Sequence, residues 1–260
     1  MSIRSILEDV VTGRISIDEA EKKLRFLALE LVNNSVKLDI GREARRGIPE
    51  VIYAEGKTID DLIKITRRVL ENHGRVIISR VNNEQAKVLE ELFNAEYAFN
   101  FYERARMIVI KENSFRVEKT GRIGVLAAGT ADIPIAEEAR ITAEEMGCEV
   151  IYEYDVGIAG IHRLFPALKK MIEADVSCIV VVAGMEGALP SVVASLTDVP
   201  VIGVPRSVGY GFGAGGIGAL TTMLQSCVLG LLVVNIDNGV NAGASAALIA
   251  RKAKRINKLA

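Results

Sequence analysis

The stretch that decides the fold begins RIGVLAAGTADIP at residues 122–134, where an apolar run passes into a turn of glycine and polar residues and then into a helix pattern. The same order recurs along the chain to residue 256. The turns after the apolar runs read GTADIP (129–134), HRLFP (162–166), GMEGALPS (184–191), VPRSVGYGFGAGG (204–216) and NIDNG (235–239). This alternation predicts a parallel sheet whose turns share one edge, and such folds bind their ligands at that edge.

The apolar runs are short and almost free of polar residues, which is typical of strands that helices cover on both faces. The predicted strands are residues 123–127, 149–154, 178–182, 199–204 and 231–235. The predicted helices are residues 134–146, 166–174, 189–196, 216–228 and 241–256. Together these elements predict a three-layer α/β/α domain over residues 121–260.

The sequence before this domain has a different character, with many charges and several helix caps. Ser16 and Glu19 form a capping box, and Thr58 and Asn82 are suited to cap two further helices. The capping box precedes an apolar helical repeat of Ala20, Leu24, Leu27 and Leu31. Short strands fit residues 50–54, 75–79 and 106–110. We expect a smaller N-terminal α/β or α+β domain over residues 1–112, followed by a polar linker at 113–120.

Composition limits the class of protein. The 260 residues include 32 basic and 33 acidic residues, interspersed, with a net charge of −1, so nucleic acid is not an expected partner. Three cysteines and the lack of a signal-like start indicate a reducing cytoplasm. Residues 210–236 carry no charge, but glycines and polar residues interrupt them. A buried helix and strand are expected there, and no membrane span.

The turn after the third predicted strand carries Glu186 between Gly184 and Gly187. The glycines let the backbone approach a ligand, which makes Gly184 a candidate binding residue and Glu186 a candidate general base. A solvated loop carboxylate is the alternative reading of Glu186.

The turn after the first predicted strand places Asp132 behind Gly129 and Thr130. Helix amides in such a turn can hold phosphate, and the carboxylate can hold a divalent ion or a ribose hydroxyl. The alternative is a helix cap without further function.

Two further turns offer polar side chains. His162 and Arg163 suit phosphate or carboxylate binding, with His162 as an acid, a base or a metal ligand. Asp237 and Asn238 either hold ribose or a metal or build an Asx-type turn. Asp132 and Asp237 are therefore the candidates for a metal site, and the metal is left open.

The longest turn contains Gly211, Gly213 and Gly216 in the G-x-G-x-x-G spacing of a dinucleotide fingerprint. The loop before them is too long for the tight turn of that motif, so we expect a flexible loop on the phosphate side of the ligand. Arg206 and Ser207 offer side-chain donors in the same loop.

Cysteine usage leaves two readings open. Cys227 precedes the last predicted strand, and spacing alone favours a small buried hydrophobic residue there. Cys148 and Cys178 lie beside or within predicted strands, where core packing is expected.

Short motifs of the second domain occur in a recognisable order. They are His162-Arg163 followed by Pro166, the Leu-Pro pair in residues 184–190, and VIGVP at 201–205. In this order they resemble the PurE family, the aminoimidazole ribonucleotide carboxylases. With LD at 38–39, GIPEVI at 47–52, GK at 56–57 and NIDNG at 235–239, the whole chain resembles the LarB family of nickel-pincer cofactor synthesis. The resemblance implies a flavodoxin-like, PurE-like C-terminal domain.

This resemblance also implies an activity. A LarB enzyme carboxylates the pyridinium ring of nicotinic acid adenine dinucleotide at carbon 5 and hydrolyses the phosphoanhydride, which releases AMP. The chain would then be both a carboxylase and a hydrolase, with carbon dioxide as co-substrate and a divalent cation, Mg²⁺, for the hydrolysis. The resemblance assigns Cys227 as the nucleophile that activates the ring, which leaves Glu186 and His162 as the other catalytic candidates. A homo-octamer is implied, with helices 216–228 and 241–256 either at its contacts or packed inside the protomer.

The sequence departs from the PurE pattern at Ala188, where that family has a second histidine before the Leu-Pro pair. Two alternatives remain beside the LarB activity. One is a PurE-type aminoimidazole ribonucleotide carboxylase or mutase, which Ala188 argues against. The other is a nucleotide-binding regulator that uses the same turns without catalysis.

Overall fold

The computed structural model describes residues 3–24, 30–32, 36–38 and 42–257. The chain forms two compact units. The first comprises Met1–Tyr102 and Met107–Phe115, and the second comprises Glu103–Arg106 and Arg116–Ala260.

The first unit combines helices with two small sheets. Its helices are α1 (Ile3–Val11), α2 (Ile17–Leu24), α3 (Arg42–Arg46), α4 (Ile59–His73) and α5 (Asn83–Phe93). Its strands are β1 (Glu30–Val32), β2 (Val36–Leu38), β3 (Val51–Tyr53), β4 (Arg75–Ser79), β5 (Ala98–Tyr102) and β6 (Met107–Lys111). β1 and β2 pair antiparallel, and the larger sheet has the order β3-β4-β6-β5 with only β3 and β4 parallel. Apolar residues of α4, α5, β4 and β6 form its core.

The predicted helix caps of this unit are confirmed. The Ser16 amide donates to Glu19 Oε2 at 3.2 Å, and the Glu19 amide donates to Ser16 Oγ at 3.1 Å. Thr58 Oγ1 accepts from the Asp61 amide, and the Asn82 side chain accepts from the amide of Gln85. These contacts satisfy amide donors that a helix start leaves without partners.

The helix after the capping box is shorter than the apolar repeat predicted. α2 ends at Leu24, and Leu31 lies in β1, paired with Lys37 of β2, while Leu27 falls outside the described residues. A helical apolar spacing fixes which residues can share a face but does not fix where the helix stops, and here strand pairing takes over. Strand β5, which the sequence analysis did not include, pairs with β6 along its whole length.

The second unit is a parallel five-stranded sheet between helices, which confirms the predicted fold class. Its strands are β7 (Gly121–Ala127), β8 (Cys148–Glu153), β9 (Ile179–Ala183), β10 (Val201–Pro205) and β11 (Leu231–Val233). Its helices are α6 (Ile133–Glu145), α7 (Leu164–Glu173), α8 (Leu189–Leu196), α9 (Ile217–Leu224) and α10 (Gly239–Asn257). The strand order is β11-β10-β9-β7-β8, so the chain adds β8 on one side of β7 and β9, β10 and β11 on the other. Folds of this order bind ligands at the switch point between β7 and β9.

Helices α7, α8 and α9 cover one face of this sheet through a single apolar cluster. Helices α6 and α10 approach each other so closely that only glycine fits at two positions of their contact. A Cβ on Gly239 would lie 2.4 Å from the Ile135 carbonyl oxygen, and one on Gly243 would lie 2.2 Å from the Ala139 carbonyl oxygen. The alanine-rich face of α10, with Ala242, Ala246 and Ala250 fully buried, is therefore packed inside the protomer.

The predicted helix 216–228 is shorter in the structure, because α9 ends at Leu224. Gln225 leaves helical geometry, and Gly230 adopts a left-handed φ of 88° before β11 begins. Cys227 consequently lies in the turn between α9 and β11. Across the described part of the chain, no helix is both long enough and apolar enough to span a membrane.

Candidate functional site

A cleft of about 570 Å³ opens at the carboxyl ends of the strands, next to the reversal of strand order. It is bordered by the turns that follow β7, β8, β9 and β10 and by the start of α8. The lining residues are Ala128, Gly129, Thr130, Ala131, Asp132, Asp155, Gly157, Ile158, Ala159, Ala183, Gly184, Met185, Glu186, Ala188, Leu189, Val208, Gly209 and Tyr210.

A larger cavity, of about 670 Å³, lies at the opposite edge of the sheet, where β7 and β8 begin. Its charged lining residues are of both signs, and one pair, Arg122 and Glu149, is bonded at 3.0 Å. Because parallel sheets bind ligands outside the carboxyl ends of their strands, the smaller cleft is the candidate functional site.

The cleft brings together five of the residues singled out from the sequence: Gly129, Thr130, Asp132, Gly184 and Glu186. The exposed Glu186 lies between two left-handed residues, Met185 and Gly187. A Cβ on Gly187 would lie 2.7 Å from Ala219 Cα, so glycine is required where this turn meets α9. The turn thus presents the carboxylate of Glu186 to the cleft.

Arg206 lies behind the cleft wall, with only 8% of its surface exposed. Its guanidinium donates to Asp237 and, at 3.1 Å, to the Ala131 carbonyl oxygen. Its Nε lies 3.9 Å from Asp132 Oδ1. One side chain therefore connects the turns that follow β7, β10 and β11. The donor predicted to contact the ligand is directed at protein groups in this structure.

The two aspartates beside Arg206 differ in their protonation behaviour. Burial raises the pKa of Asp132, and the hydrogen bond from the Gly129 amide and the charge of Arg206 offset this only in part. Burial also acts to raise the pKa of Asp237, but the hydrogen bonds from Ser207 and the charge of Arg206 outweigh it and lower the pKa. Ser207 donates to Asp237 through both its amide, at 3.0 Å, and its hydroxyl.

These contacts decide whether Asp132 and Asp237 fit a divalent cation. Both carboxylates face the same guanidinium, and a metal ion beside that positive charge would be repelled. Within residues 3–24, 30–32, 36–38 and 42–257, no group of three histidine, cysteine, aspartate or glutamate side chains converges on one point. The two predicted candidates for metal binding do not form a cation site here.

The turn after β8 lines the cleft with Asp155 and Ile158. His162 and Arg163 stand at the end of this turn, both exposed, and neither lines the cleft. Arg163 is bonded to Asp155. Arg163 therefore borders the site through this pair, and His162 lies outside the cleft lining.

The remaining predicted binding residues shape loops outside the cleft lining. Gly216 caps α9 with a left-handed φ of 85°, and a Cβ there would lie 2.8 Å from the Arg206 carbonyl oxygen. Gly211 also has a left-handed φ, and Gly213 packs against Gly218. Asn238 Oδ1 accepts from the Asn241 amide at 3.0 Å, so Asn238 caps the start of α10.

Comparison with known proteins assigns both halves of the chain. Residues 30–113 match the LarB/PurE-like N-terminal domain, and residues 122–259 match AIR carboxylase. The chain belongs to the AIR carboxylase family. It is a LarB-like protein with a PurE-like C-terminal domain.

Individual relatives of this AIR carboxylase family member cover different shares of the chain. The uncharacterized protein MJ0165 of Methanocaldococcus jannaschii is 50% identical over 253 residues, which cover 96% of this chain and 97% of the relative. An N5-carboxyaminoimidazole ribonucleotide mutase of Thermotoga maritima is 32% identical over 133 residues, 49% of this chain and 74% of the relative. One of Methanocaldococcus jannaschii is 35% identical over 124 residues, 46% of this chain and 73% of the relative.

The three cysteines of this family member differ sharply in environment. Cys148 and Cys178 are buried, and Cys227 is exposed. Burial raises the pKa of the Cys148 thiol and raises that of Cys178 to about 12. Cys227 does not line the cleft, and its neighbour Ser226 accepts a hydrogen bond from Ser191 of α8 at 2.8 Å. One subunit therefore does not bring the thiol of Cys227 and the carboxylate of Glu186 together in one cavity.

Several lining residues were not predicted from the sequence, chiefly Asp155, Val208 and Tyr210. Tyr210 had a usable signal, because it is an aromatic residue between two glycines in a predicted ligand-binding turn. Asp155 could not be found in the same way, since its left-handed φ of 60° depends on how the turn after β8 folds.

Proposed function

We propose that the protein carboxylates nicotinic acid adenine dinucleotide at carbon 5 of its pyridinium ring and hydrolyses the phosphoanhydride. The products would be AMP and pyridinium-3,5-dicarboxylate mononucleotide, a precursor for a nickel-pincer cofactor. Membership in the AIR carboxylase family supports a carboxylase or mutase of this general kind. The LarB/PurE-like N-terminal match supports this particular substrate over a purine precursor.

The observation that carries the proposal is the charge of the cleft. Its described lining residues include no lysine, arginine or histidine and three carboxylates, of which Asp132 and Asp155 are partly neutralised by the neighbouring Arg206 and Arg163, and Glu186 is the third. A cavity with acidic and apolar walls favours a flat cationic ring over an anionic group. The cationic nitrogen of a pyridinium ring meets that requirement when the 3-carboxylate of the ring and the phosphates of the substrate lie away from these side chains.

A pyridinium ring cannot attack carbon dioxide as it stands, because it is poor in electrons. A thiolate that adds to carbon 4 or carbon 6 turns the ring into an enamine, and carbon 5 then forms a bond to carbon dioxide. A base removes the proton from carbon 5, the thiolate leaves with its electron pair, and aromaticity returns. In net terms one ring proton is exchanged for a carboxylate.

The residues suited to these steps are Cys227 and Glu186. Cys227 is the one exposed thiol of the three, and the other two are buried with raised pKa values. Glu186 faces the cleft and would accept the proton from carbon 5. Since Cys227 does not line the cleft of its own subunit, we further propose that another copy in a homo-octamer supplies it.

The hydrolysis needs a water molecule whose oxygen bonds to one phosphorus while the bond from that phosphorus to the bridging oxygen breaks and AMP departs. Asp132 and Asp237 are held by Arg206 and do not fit a metal ion, so we assign no protein-held metal to this step. Mg²⁺ is supplied in the assay, and no residue is proposed to bind it.

The test is to incubate the protein with nicotinic acid adenine dinucleotide, labelled bicarbonate and Mg²⁺. We expect AMP and a labelled dicarboxylated mononucleotide. Cys227→Ala should lose labelling by at least about 10³-fold, as expected for a covalent catalyst, while the buried-thiol control Cys148→Ala keeps it. If neither product forms, or if Cys227→Ala still incorporates label, the proposal fails.

The specific rival is a PurE-type carboxylase or mutase, which the 32–35% identity to the mutases over about half of the chain favours. Ala188 opposes it, because a methyl group lines the cleft where the PurE family has a histidine. Turnover of an aminoimidazole ribonucleotide would establish this rival. Tight binding of the dinucleotide without any product would instead indicate a regulator.

A further inference from the structure

We propose that Tyr210 stacks its ring on the pyridinium of the substrate and so makes the cleft selective for a cationic heteroaromatic ring. The proposal rests on the proposed function for the identity of that ring. It assigns a specificity role to a residue outside the catalytic candidates.

The first observation is where the ring lies. Tyr210 is 81% exposed, yet it lines the same cleft as Glu186. Gly209 and Gly211 flank it, and Gly211 has a left-handed φ of 77°. The ring therefore projects from a glycine-flanked turn and is available to a ligand.

The second observation is that this turn is pressed against the turn that carries Glu186. A Cβ on Gly184 would lie 2.7 Å from the Val208 carbonyl oxygen, which leaves no room for a side chain between the turns. A Cβ on Gly209 would lie 3.7 Å from the Met185 amide nitrogen. The aromatic ring and the carboxylate are thus presented by two backbone segments in direct contact.

The third observation is the electrostatic character of the cleft. The face of an aromatic ring carries partial negative charge and attracts a cation placed over it. Glu186 adds to that attraction, whereas Asp155 is bonded to Arg163 and Asp132 lies 3.9 Å from the Arg206 guanidinium, which offsets part of their charge. A neutral base would stack on Tyr210 without the electrostatic attraction. The cleft should therefore bind a cationic ring more tightly than a neutral base.

The absence of tryptophan from the sequence allows a direct binding test. Tyr210→Trp introduces a single tryptophan, whose fluorescence a stacked pyridinium quenches. We expect saturable quenching by nicotinic acid mononucleotide and at least about ten-fold weaker binding of AMP, whose base has no cationic nitrogen and is joined to the same kind of phosphoribosyl group.

The matched control is Phe212→Trp, because Phe212 is fully exposed two residues away and does not line the cleft. We expect no saturable quenching there. A third variant, Tyr210→Leu, keeps an apolar side chain but no ring, and calorimetry should show about ten-fold weaker binding of nicotinic acid mononucleotide than to the wild type.

The outcomes separate this proposal from the proposed function. Selective quenching of Tyr210→Trp without any carboxylation would leave the stacking role intact and remove the enzyme assignment. Equal quenching by AMP, no quenching by either nucleotide, or unchanged binding to Tyr210→Leu would overturn the stacking role, even if the protein proves to be a carboxylase. If the emission of Tyr210→Trp is shifted to the blue and does not change when ligand is added, another copy covers the ring. That result would also overturn the stacking role.

Discussion

At the scale of single residues, the buried guanidinium of Arg206 needs more compensation by its neighbours than other groups described near the cleft. A buried charge is tolerated only where opposite charges and hydrogen bonds compensate for lost water. Asp237, Asp132 and the Ala131 carbonyl oxygen provide that compensation. Removing one of these partners leaves part of the guanidinium charge uncompensated. The loss in the free energy of unfolding should therefore exceed that caused by breaking a surface ion pair.

Asp237→Asn should lower the free energy of unfolding at pH 7 by about 2–3 kcal/mol, somewhat below the usual cost of breaking a buried pair. The reduction reflects the 20% exposure of the Asp237 side chain. The folded pKa of Asp237 is lowered, so its stabilising effect is fully present above the unfolded pKa of about 4 and is lost as the pH falls through the folded value.

Urea unfolding of the wild type and Asp237→Asn at pH 7, 5, 4 and 3 would measure this effect. The difference between them should be constant down to about pH 4 and should shrink below it. The exposed Asp198→Asn is the control, with a difference near zero throughout. A difference for Asp237→Asn that stays the same at pH 3 would contradict the argument.

Thiol exposure gives a second residue-scale prediction, independent of activity. In the folded protein one thiol per chain should react rapidly with a colorimetric disulfide reagent, because Cys148 and Cys178 are buried and less readily ionised. Cys227→Ser should abolish the rapid phase and leave the slow reaction of the other two. Rapid labelling that persists in Cys227→Ser would show that a buried cysteine is accessible.

At the scale of elements, the contact between α6 and α10 depends on two glycines one helical turn apart. Gly243→Ala would press a methyl group into the Ala139 carbonyl oxygen, which Cβ placement puts at 2.2 Å. The helices must separate, and we expect a loss of about 3 kcal/mol in the free energy of unfolding. Asn241→Ala, on the exposed side of the same helix, should change it by no more than about 0.5 kcal/mol. Equal unfolding midpoints for the two variants would show that the contact is looser than described.

The elements also show what the sequence could and could not predict. β7, β9 and β10 were predictable because strands buried on both faces are nearly all apolar, and the turns after them were predictable from glycine. The end of α2 was not, since Leu31 fits a helical repeat equally well and only pairing with β2 makes it a strand. Likewise Arg206 was predicted as a ligand donor, because its partners Asp132 and Asp237 are distant in sequence.

At the scale of the whole molecule, a set of exposed apolar side chains surrounds α9 and the edge strand β11. The set consists of Phe212, Ile217, Leu224, Leu229 and Leu232. Several exposed apolar side chains on neighbouring elements are typical of an interaction site, which agrees with the proposed assembly of several copies. We expect light scattering to give a mass of several subunits, and Leu224→Glu with Leu229→Glu to reduce it. A wild-type mass of one subunit would refute the assembly.

If the thiol of one copy serves the cleft of another, two inactive variants should rescue each other. Cys227→Ala and Glu186→Gln, unfolded together and refolded as mixed assemblies, should regain about a quarter of wild-type carboxylation, because that share of clefts draws both intact residues. Each variant refolded alone is the control. No recovery in assemblies shown to be mixed would place both residues in one subunit's site.

The close contact of α10 with α6 also bears on how the chain acquires its structure during synthesis. The ribosome releases α6 directly after β7, but α10 emerges only when β8 to β11 have been made. Until then the backbone of α6 at Ile135 and Ala139 has no covering helix. The second unit must therefore complete its fold late, through contacts between segments far apart in the chain, and such contacts form slowly.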